Sequence, residues 1–301
     1  MPKLRISIVQ YLNTAPLVWG FTNGQLRGKY ELSFTVPSKC AEALRSGAAD
    51  VAIIPTIEYQ RIPDLVILPD LAIASKERVR SLLMVSKTPI RQARSIALDS
   101  GSRSTQALVR ILCADSWKIA PDFFEAAPVL PEMLRRADAA LLIGDPALRV
   151  SVAMDKNSQR AVSGATICDG VVEGLPGVGT LYVYDVVEEW RQVSRLPAVL
   201  AVWAARRGVI TPEVVQDFLA SRDYGMARIA EISQAASGEL NLPADALESY
   251  LRRNIDFSFG DENQRGLEYY YARAAALRLI DKAKPLAWAA NPALENARAN
   301  A

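Results

Sequence analysis

The chain has 301 residues, 50% hydrophobic and 23% charged, which excludes a disordered protein and leaves room for two folded lobes of roughly 100–150 residues each. A net charge of +2, with no Lys/Arg-rich block, gives no basis for a nucleic-acid or anionic-membrane partner. Histidine is absent, which removes Ser-His-Asp and Cys-His catalysis and the common zinc sites, so acid–base chemistry falls to carboxylates, Lys, Tyr, Cys, the substrate or water.

Arg5-Ile-Ser-Ile alternates polar and apolar residues at strand period, and the strand ends at Gln10–Tyr11. The start of the chain shows no signal-peptide pattern, and no run of about 18 apolar residues occurs, so the expected location is cytoplasmic and off the membrane. After Tyr11 the chain turns into a helix, with Asn13 or Thr14 as its cap and Pro16 in its first turn. Open α/β sheets place ligands at such a strand end, so the Asn13 amide and the Thr14 hydroxyl are candidate ligand contacts as well as caps. Glu31–Val36 reads as a second strand, and Pro37-Ser38 leads into a short helix over Lys39–Ser46 that stops at Gly47. Asp50–Pro55 is a continuous apolar run, the pattern of a buried parallel strand. Strand, helix, strand with short connections gives βαβ units. Val66–Leu68 and Ser81–Ser86 read as further strands.

The theme returns at Ser95–Asp99, a strand running into Ser100-Gly-Ser-Arg-Ser-Thr105 and a helix with Leu108, Ile111 and Leu112 on one face. A short helix from Pro131 leads to Ala137-Asp-Ala-Ala-Leu-Leu-Ile-Gly-Asp-Pro146, a buried strand that stops at a Pro-containing turn much as the earlier run stops at Pro55. The reading is two related α/β lobes with their βα turns aimed at one cleft. Gly174-Leu-Pro-Gly-Val-Gly179 precedes a strand, Thr180–Tyr184, whereas a phosphate-cradling loop follows one, so it reads as a turn. A helix over Asp185–Val193, an apolar strand over Leu196–Ala204, and helices from Thr211, from near Pro243 and over Asp261–Ile280 complete the pattern, with a peripheral tail after Lys284. Leu267, Tyr270, Ala274 and Leu277 read as core. Cys40, Cys113 and Cys168 are far apart and read as reduced core thiols. Placing the crossings between lobes near Ser86–Pro89 and Leu196–Trp203 assigns residues 1–86 and 200–301 to the first lobe and 87–199 to the second.

Three helix starts would face the cleft: Asn13–Thr14, Ser38 and Ser102–Thr105. Helix amino termini offer free N–H groups and a partial positive charge, which suits carboxylates. The Ser102-Arg103-Ser104-Thr105 turn has more hydroxyls than capping needs. Asp145 is either a site group or a turn-forming residue. Ser81 opens the strand leading to the crossing and can show its hydroxyl to the cleft. Arg78 and Arg80 read as surface charges.

Six segments in order resemble the chorismate dehydratases of menaquinone biosynthesis by the futalosine route. They are Gln10-Tyr-Leu-Asn-Thr-Ala-Pro16, Val36-Pro-Ser38, Gly47–Pro55, Leu98-Asp-Ser-Gly-Ser-Arg-Ser-Thr105, Ala137–Asp145 and Leu196-Pro through Trp203. The resemblance implies a two-lobed type II periplasmic-binding-protein-like α/β fold with a central cleft and two hinge crossings, used as an enzyme inside the cell. It implies conversion of chorismate to 3-[(1-carboxyvinyl)oxy]benzoate with loss of water, with no metal and no organic cofactor. It maps catalytic roles to Asn13 and Ser81. The substrate-binding set is then Tyr11, Thr14, Ser38, Pro55, Thr56, Ser102, Arg103, Ser104, Thr105, Gly144 and Asp145. The partner implied is a small-molecule dicarboxylate, and the oligomeric state is left open. Val199-Leu200 departs from the aromatic residue expected in the return strand, a change expected to affect packing more than chemistry. A non-catalytic solute-binding protein is the rival reading. The related dihydroxynaphthoate synthase is another, but it is expected to use a histidine.

Overall fold

The computed structural model describes residues 3–162, 165–169 and 180–290. The glycine-rich segment 174–179 and the end of the tail lie outside these residues, as does the Cys168 side chain.

The chain opens with β1 (Arg5–Val9), a single 3-10 turn over Leu12–Thr14, and α1 (Ala15–Asn23). β2 (Glu31–Thr35), α2 (Pro37–Ser46), β3 (Val51–Pro55) and α3 (Thr56–Arg61) follow. Pro37 occupies the first turn of α2, and Gly47 ends it at φ 79°, a left-handed conformation that glycine adopts without steric cost. α3 replaces the turn expected after Pro55. β4 (Leu65–Ser75) is far longer than the Val66–Leu68 segment expected. Pro69 and the positive φ of Asp70 interrupt its sequence pattern, and Arg222 holds the bend by donating to the Asp70 carbonyl (2.7 Å).

The chain then enters β5 (Leu82–Ser86), β6 (Ser95–Asp99), α4 (Ser104–Leu112), β7 (Asp122–Ala126), α5 (Leu130–Arg136) and β8 (Ala139–Ile143). α6 (Gly144–Asn157), β9 (Ser158–Val162), β10 (Ala165–Asp169), β11 (Thr180–Asp185) and α7 (Val186–Ser194) complete this part. β12 (Ala198–Arg206) returns to the first sheet, and α8 (Pro212–Met226), α9 (Ile229–Leu240), α10 (Ala244–Arg253) and α11 (Asp261–Ala276) follow. β7, α6, α9 and the β9–β10 pair had no clear pattern in the sequence.

Two sheets result, one of order β2-β1-β3-β12-β4 and one of order β7-β6-β8-β5-β11-β10-β9. β1 pairs in parallel with β2 and β3, and β6 with β7 and β8, so the same parallel unit occurs in each. The fully buried strands β3 and β8 are the two apolar runs read from the sequence. β5 pairs with β8 and β11 in the second sheet. The first crossing therefore lies between Ser75 and Leu82, ahead of Ser86–Pro89, and the division at residue 86 moves back accordingly.

Asp185 organises that crossing. Its buried carboxylate accepts from the N–H of Val79 (3.1 Å) and of Arg80 (2.6 Å), and it caps α7 through Val187 (3.0 Å) and Glu188 (3.2 Å). Burial pushes this carboxyl up, against the N–H groups that favour its charge. Arg80 is not a surface charge: it donates to Ser151 Oγ (3.0 Å) and pairs with Asp155.

The C-terminal helices pack on the first sheet. Phe218 of α8 meets Trp203 and Phe21 edge-on at 4.8 and 4.9 Å between ring centres. A Cβ added at Gly225 would lie 2.0 Å from the Pro16 carbonyl oxygen. That contact sets where α1 begins, and with it the turn carrying Asn13. Gly225→Ala should destabilise the fold by about 1–3 kcal/mol through overpacking, read as a lower denaturation midpoint with an unchanged slope.

Candidate functional site

The cleft between the sheets holds a narrow cavity of about 60 Å³ that is partly open to solvent. Its first-lobe wall is Val9, Tyr11, Asn13, Pro37, Pro55, Ile73, Leu200 and Ala201. Its second-lobe wall is Leu82, Ser102, Arg103, Ser104, Thr105, Ile143 and Gly144. Tyr11, Asn13, Pro55, Ser102, Arg103, Ser104, Thr105 and Gly144, all named from the sequence, thus line one cavity. Leu200 also forms part of the wall, so the departure at Val199-Leu200 touches the site and not only the packing.

Ser102 and Thr105 bring hydroxyls that no other described residue engages. They flank the start of α4, where the first helical bond runs from the Ala107 N–H to Arg103 (3.2 Å). The N–H groups of Ser104, Thr105 and Gln106 therefore have no helical acceptor. Two hydroxyls and a helix amino terminus make a carboxylate cradle. Arg103 reaches outward and pairs with Glu125 (3.0 Å). Across the cleft, Asn13 is nearly buried, and its Oδ1 accepts a long bond from the Thr14 hydroxyl (3.5 Å).

Tyr11 stands between the two lobes. Its ring lies flat on Gly144, where a Cβ would come within 2.6 Å of it, and Gly144 has φ +61°. Burial first, then the neighbouring Asp99 and Asp145, push the Tyr11 phenol well above its ordinary value, so it stays protonated. Asp99 is buried under the turn and accepts from Gly101 (2.8 Å) and Ile143 (3.3 Å). Burial pushes its carboxyl up to about 6. The sequence reading missed Asp99 because it reads as a strand end; its role is to shape the loop beneath the cradle.

The other expected residues serve the site from outside the cavity wall. Ser104 Oγ meets Thr56 Oγ1 (3.0 Å) and accepts from the Ile57 N–H (3.0 Å), which joins the starts of α3 and α4 across the lobes. The Ser38 N–H donates to the Gly101 carbonyl (3.2 Å), so this helix start is occupied by protein. Thr14 and Asp145 face a second cavity behind the turn, lined by Val18, Trp19 and Ile232 among others. Asp145 lies in the first turn of α6 and accepts from the Leu12 N–H (3.1 Å), another bond between lobes. Ser81 is fully buried, its hydroxyl bonded to Tyr250 (2.8 Å).

Cys40 and Cys113 are buried and unpaired, and burial pushes their thiols up to about 11 and about 12, which leaves them unreactive at neutral pH. Among the described residues no cluster of three or more His, Cys, Asp or Glu is placed to hold a metal ion, and no helix is long and apolar enough to cross a membrane.

Residues 4–276 match the protein family described as menaquinone biosynthesis. The chain belongs to that family. It is 27% identical over 267 residues to a chorismate dehydratase of Thermus thermophilus, covering 88% of this chain and 93% of that protein. Among solved structures, a protein of Archaeoglobus fulgidus aligns with a TM-score of 0.68 at 16% identity, covering 92% of this chain and 98% of that one. The periplasmic aliphatic sulphonate-binding protein of Escherichia coli aligns with a TM-score of 0.61 at 15% identity, covering 97% and 95%. These likenesses show that this family member has the two-lobed periplasmic-binding-protein-like fold.

Gly144→Ala should close the Tyr11 side of the cleft. Both the ring contact and the positive φ oppose a side chain, so ligand affinity should drop by at least about tenfold, at a cost of about 1–3 kcal/mol in stability, read by calorimetry and denaturant titration.

Burial pushes the Asp145 carboxyl up to about 6, against the Leu12 N–H that favours its charge. A carboxyl raised on folding binds more protons folded than unfolded, so its contribution to stability falls as pH rises from about 4 to about 6. Asp145→Asn keeps an oxygen for Leu12 and removes this titration. Its melting temperature should vary less over that window than the wild type's, with Asp99 leaving a residual slope.

Proposed function

We propose that this chain is a chorismate dehydratase that converts chorismate to 3-[(1-carboxyvinyl)oxy]benzoate in the cytoplasm. The observation that carries the reading is the pairing of an unengaged hydroxyl cradle at the start of α4 with the Asn13 amide across one mostly apolar cleft. The family match and the relative named above support it.

Chorismate carries two carboxylates and a ring diene one dehydration short of aromatic. In the scheme, one carboxylate sits on Ser102, Thr105 and the free N–H groups of α4. The C–H bond at the ring carbon breaks toward a base, for which the substrate's own side-chain carboxylate is placed. The ring hydroxyl leaves, takes up that proton and departs as water, and the electron pair completes the aromatic ring. Aromatisation drives the step, so the protein need only orient the groups, exclude competing reactions and stabilise charge with fixed dipoles. Asn13 holds the proton in transit or the departing oxygen. Ser81 joins it from beside Gly144, whose N–H donates to the Ser81 carbonyl (2.8 Å). The scheme asks for no metal or organic cofactor.

The likeness to a sulphonate-binding protein favours a second reading, a carboxylate binder without turnover. Incubation with chorismate separates the two, since the dehydratase yields an aromatic absorbance and a product lighter by one water, and the binder yields neither. Asn13→Ala should lower kcat by about 10²-fold or more. A wild-type rate in that variant would remove Asn13 from the scheme.

A further inference from the structure

α10 touches the segment between the lobes at two points one helical turn apart. Asn254 Nδ2, at its C-cap, donates to the Arg78 carbonyl (3.0 Å), and the Tyr250 phenol donates to Ser81 Oγ (2.8 Å). Residues four apart share a helix face, so one face of α10 holds both ends of segment 78–81. From the other side, the Ser81 carbonyl accepts from Gly144, and the next residue, Leu82, pairs with Ile143. The second lobe thus fixes the backbone of Ser81, and the first lobe fixes its side chain.

Tyr250 is buried at 1% exposure and is not part of the cavity wall. Packing alone would be served equally by phenylalanine. The hydroxyl instead meets Ser81. A serine hydroxyl that accepts from a tyrosine keeps its own hydrogen to donate. A buried phenol remains a donor throughout the neutral range.

We propose that Tyr250 is a positioning residue, whose phenol donates to Ser81 Oγ and so fixes the serine hydroxyl behind the cavity wall formed by Leu82 and Gly144. The proposal rests on the dehydratase reading for its kinetic consequences and on geometry alone for the contact. It gives the C-terminal helices a part in the reaction: α10 lies outside the cleft, yet it holds the serine hydroxyl that backs the cavity wall.

The test compares Tyr250→Phe, Ser81→Ala and the double variant with wild type. Tyr250→Phe should keep the fold and KM while lowering kcat about tenfold, and the double variant should be no slower than Ser81→Ala, because the two residues act as one unit. Multiplying losses, or an unchanged kcat in Tyr250→Phe, would overturn the proposal. A merely structural tyrosine would lower the melting temperature and leave kcat per folded molecule intact. A second readout needs no substrate. In denaturant titration of the same variants, the stability loss of the double variant should be smaller than the sum of the two single losses, and additive losses would overturn the contact whatever the substrate is. Absence of turnover in the wild type, by contrast, sinks the dehydratase reading, and it shows before any variant is compared.

Discussion

Four polar contacts across the gap between the sheets hold the cleft in shape. Leu12 donates to Asp145, Ser38 to the Gly101 carbonyl and Ile57 to Ser104 Oγ, while Thr56 and Ser104 share a hydrogen bond. Each joins a helix start or βα turn of one lobe to one of the other. Such ends carry N–H groups without partners of their own, so their use between lobes leaves few unsatisfied. Where that use stops, at Ser102 and Thr105 and the first N–H groups of α4, the remaining donors face the cavity. The unengaged donors of the cavity are what the lobe contacts leave over.

The walls decide how strongly those donors act. Val9, Ile73, Leu82, Ile143, Leu200 and Ala201 contribute no hydrogen-bonding side chains. A carboxylate brought among them loses water and feels the fixed dipoles more strongly than it would at a surface. The same burial raises Asp99 and Asp145 to about 6 and keeps the phenols of Tyr11 and Tyr250 protonated.

Much of this frame was legible in the chain. Uninterrupted apolar runs marked β3 and β8 as central strands, because a strand covered on both faces has no polar face to show. The turn after β1 and the hydroxyl-rich turn before α4 carried a cap-and-ligand pattern, and both reach the cavity. Other features carried no local signal. β4 is split in the sequence by Pro69 and Asp70 and continuous in space, since β12 pairs with it on both sides of the bend. Thr56 read as a ligand group, and its hydroxyl meets Ser104 of the other lobe and the Val199 carbonyl, because a hydroxyl at a helix start looks the same whether it meets a ligand or a protein group. Tyr250 lies 169 positions from Ser81, and only the packing of α10 on the crossing segment brings them together.

The sequence by itself determined the two α/β units, the lack of histidine chemistry and the turns able to bind an anion, because these follow from periodicity, composition and backbone hydrogen bonding. The tertiary structure decided which of those turns keep their donors free, where the chain crosses between lobes, and which distant side chain holds the Ser81 hydroxyl. Those outcomes depend on how close the lobes stand and which N–H groups the partner lobe consumes, and no local pattern encodes either.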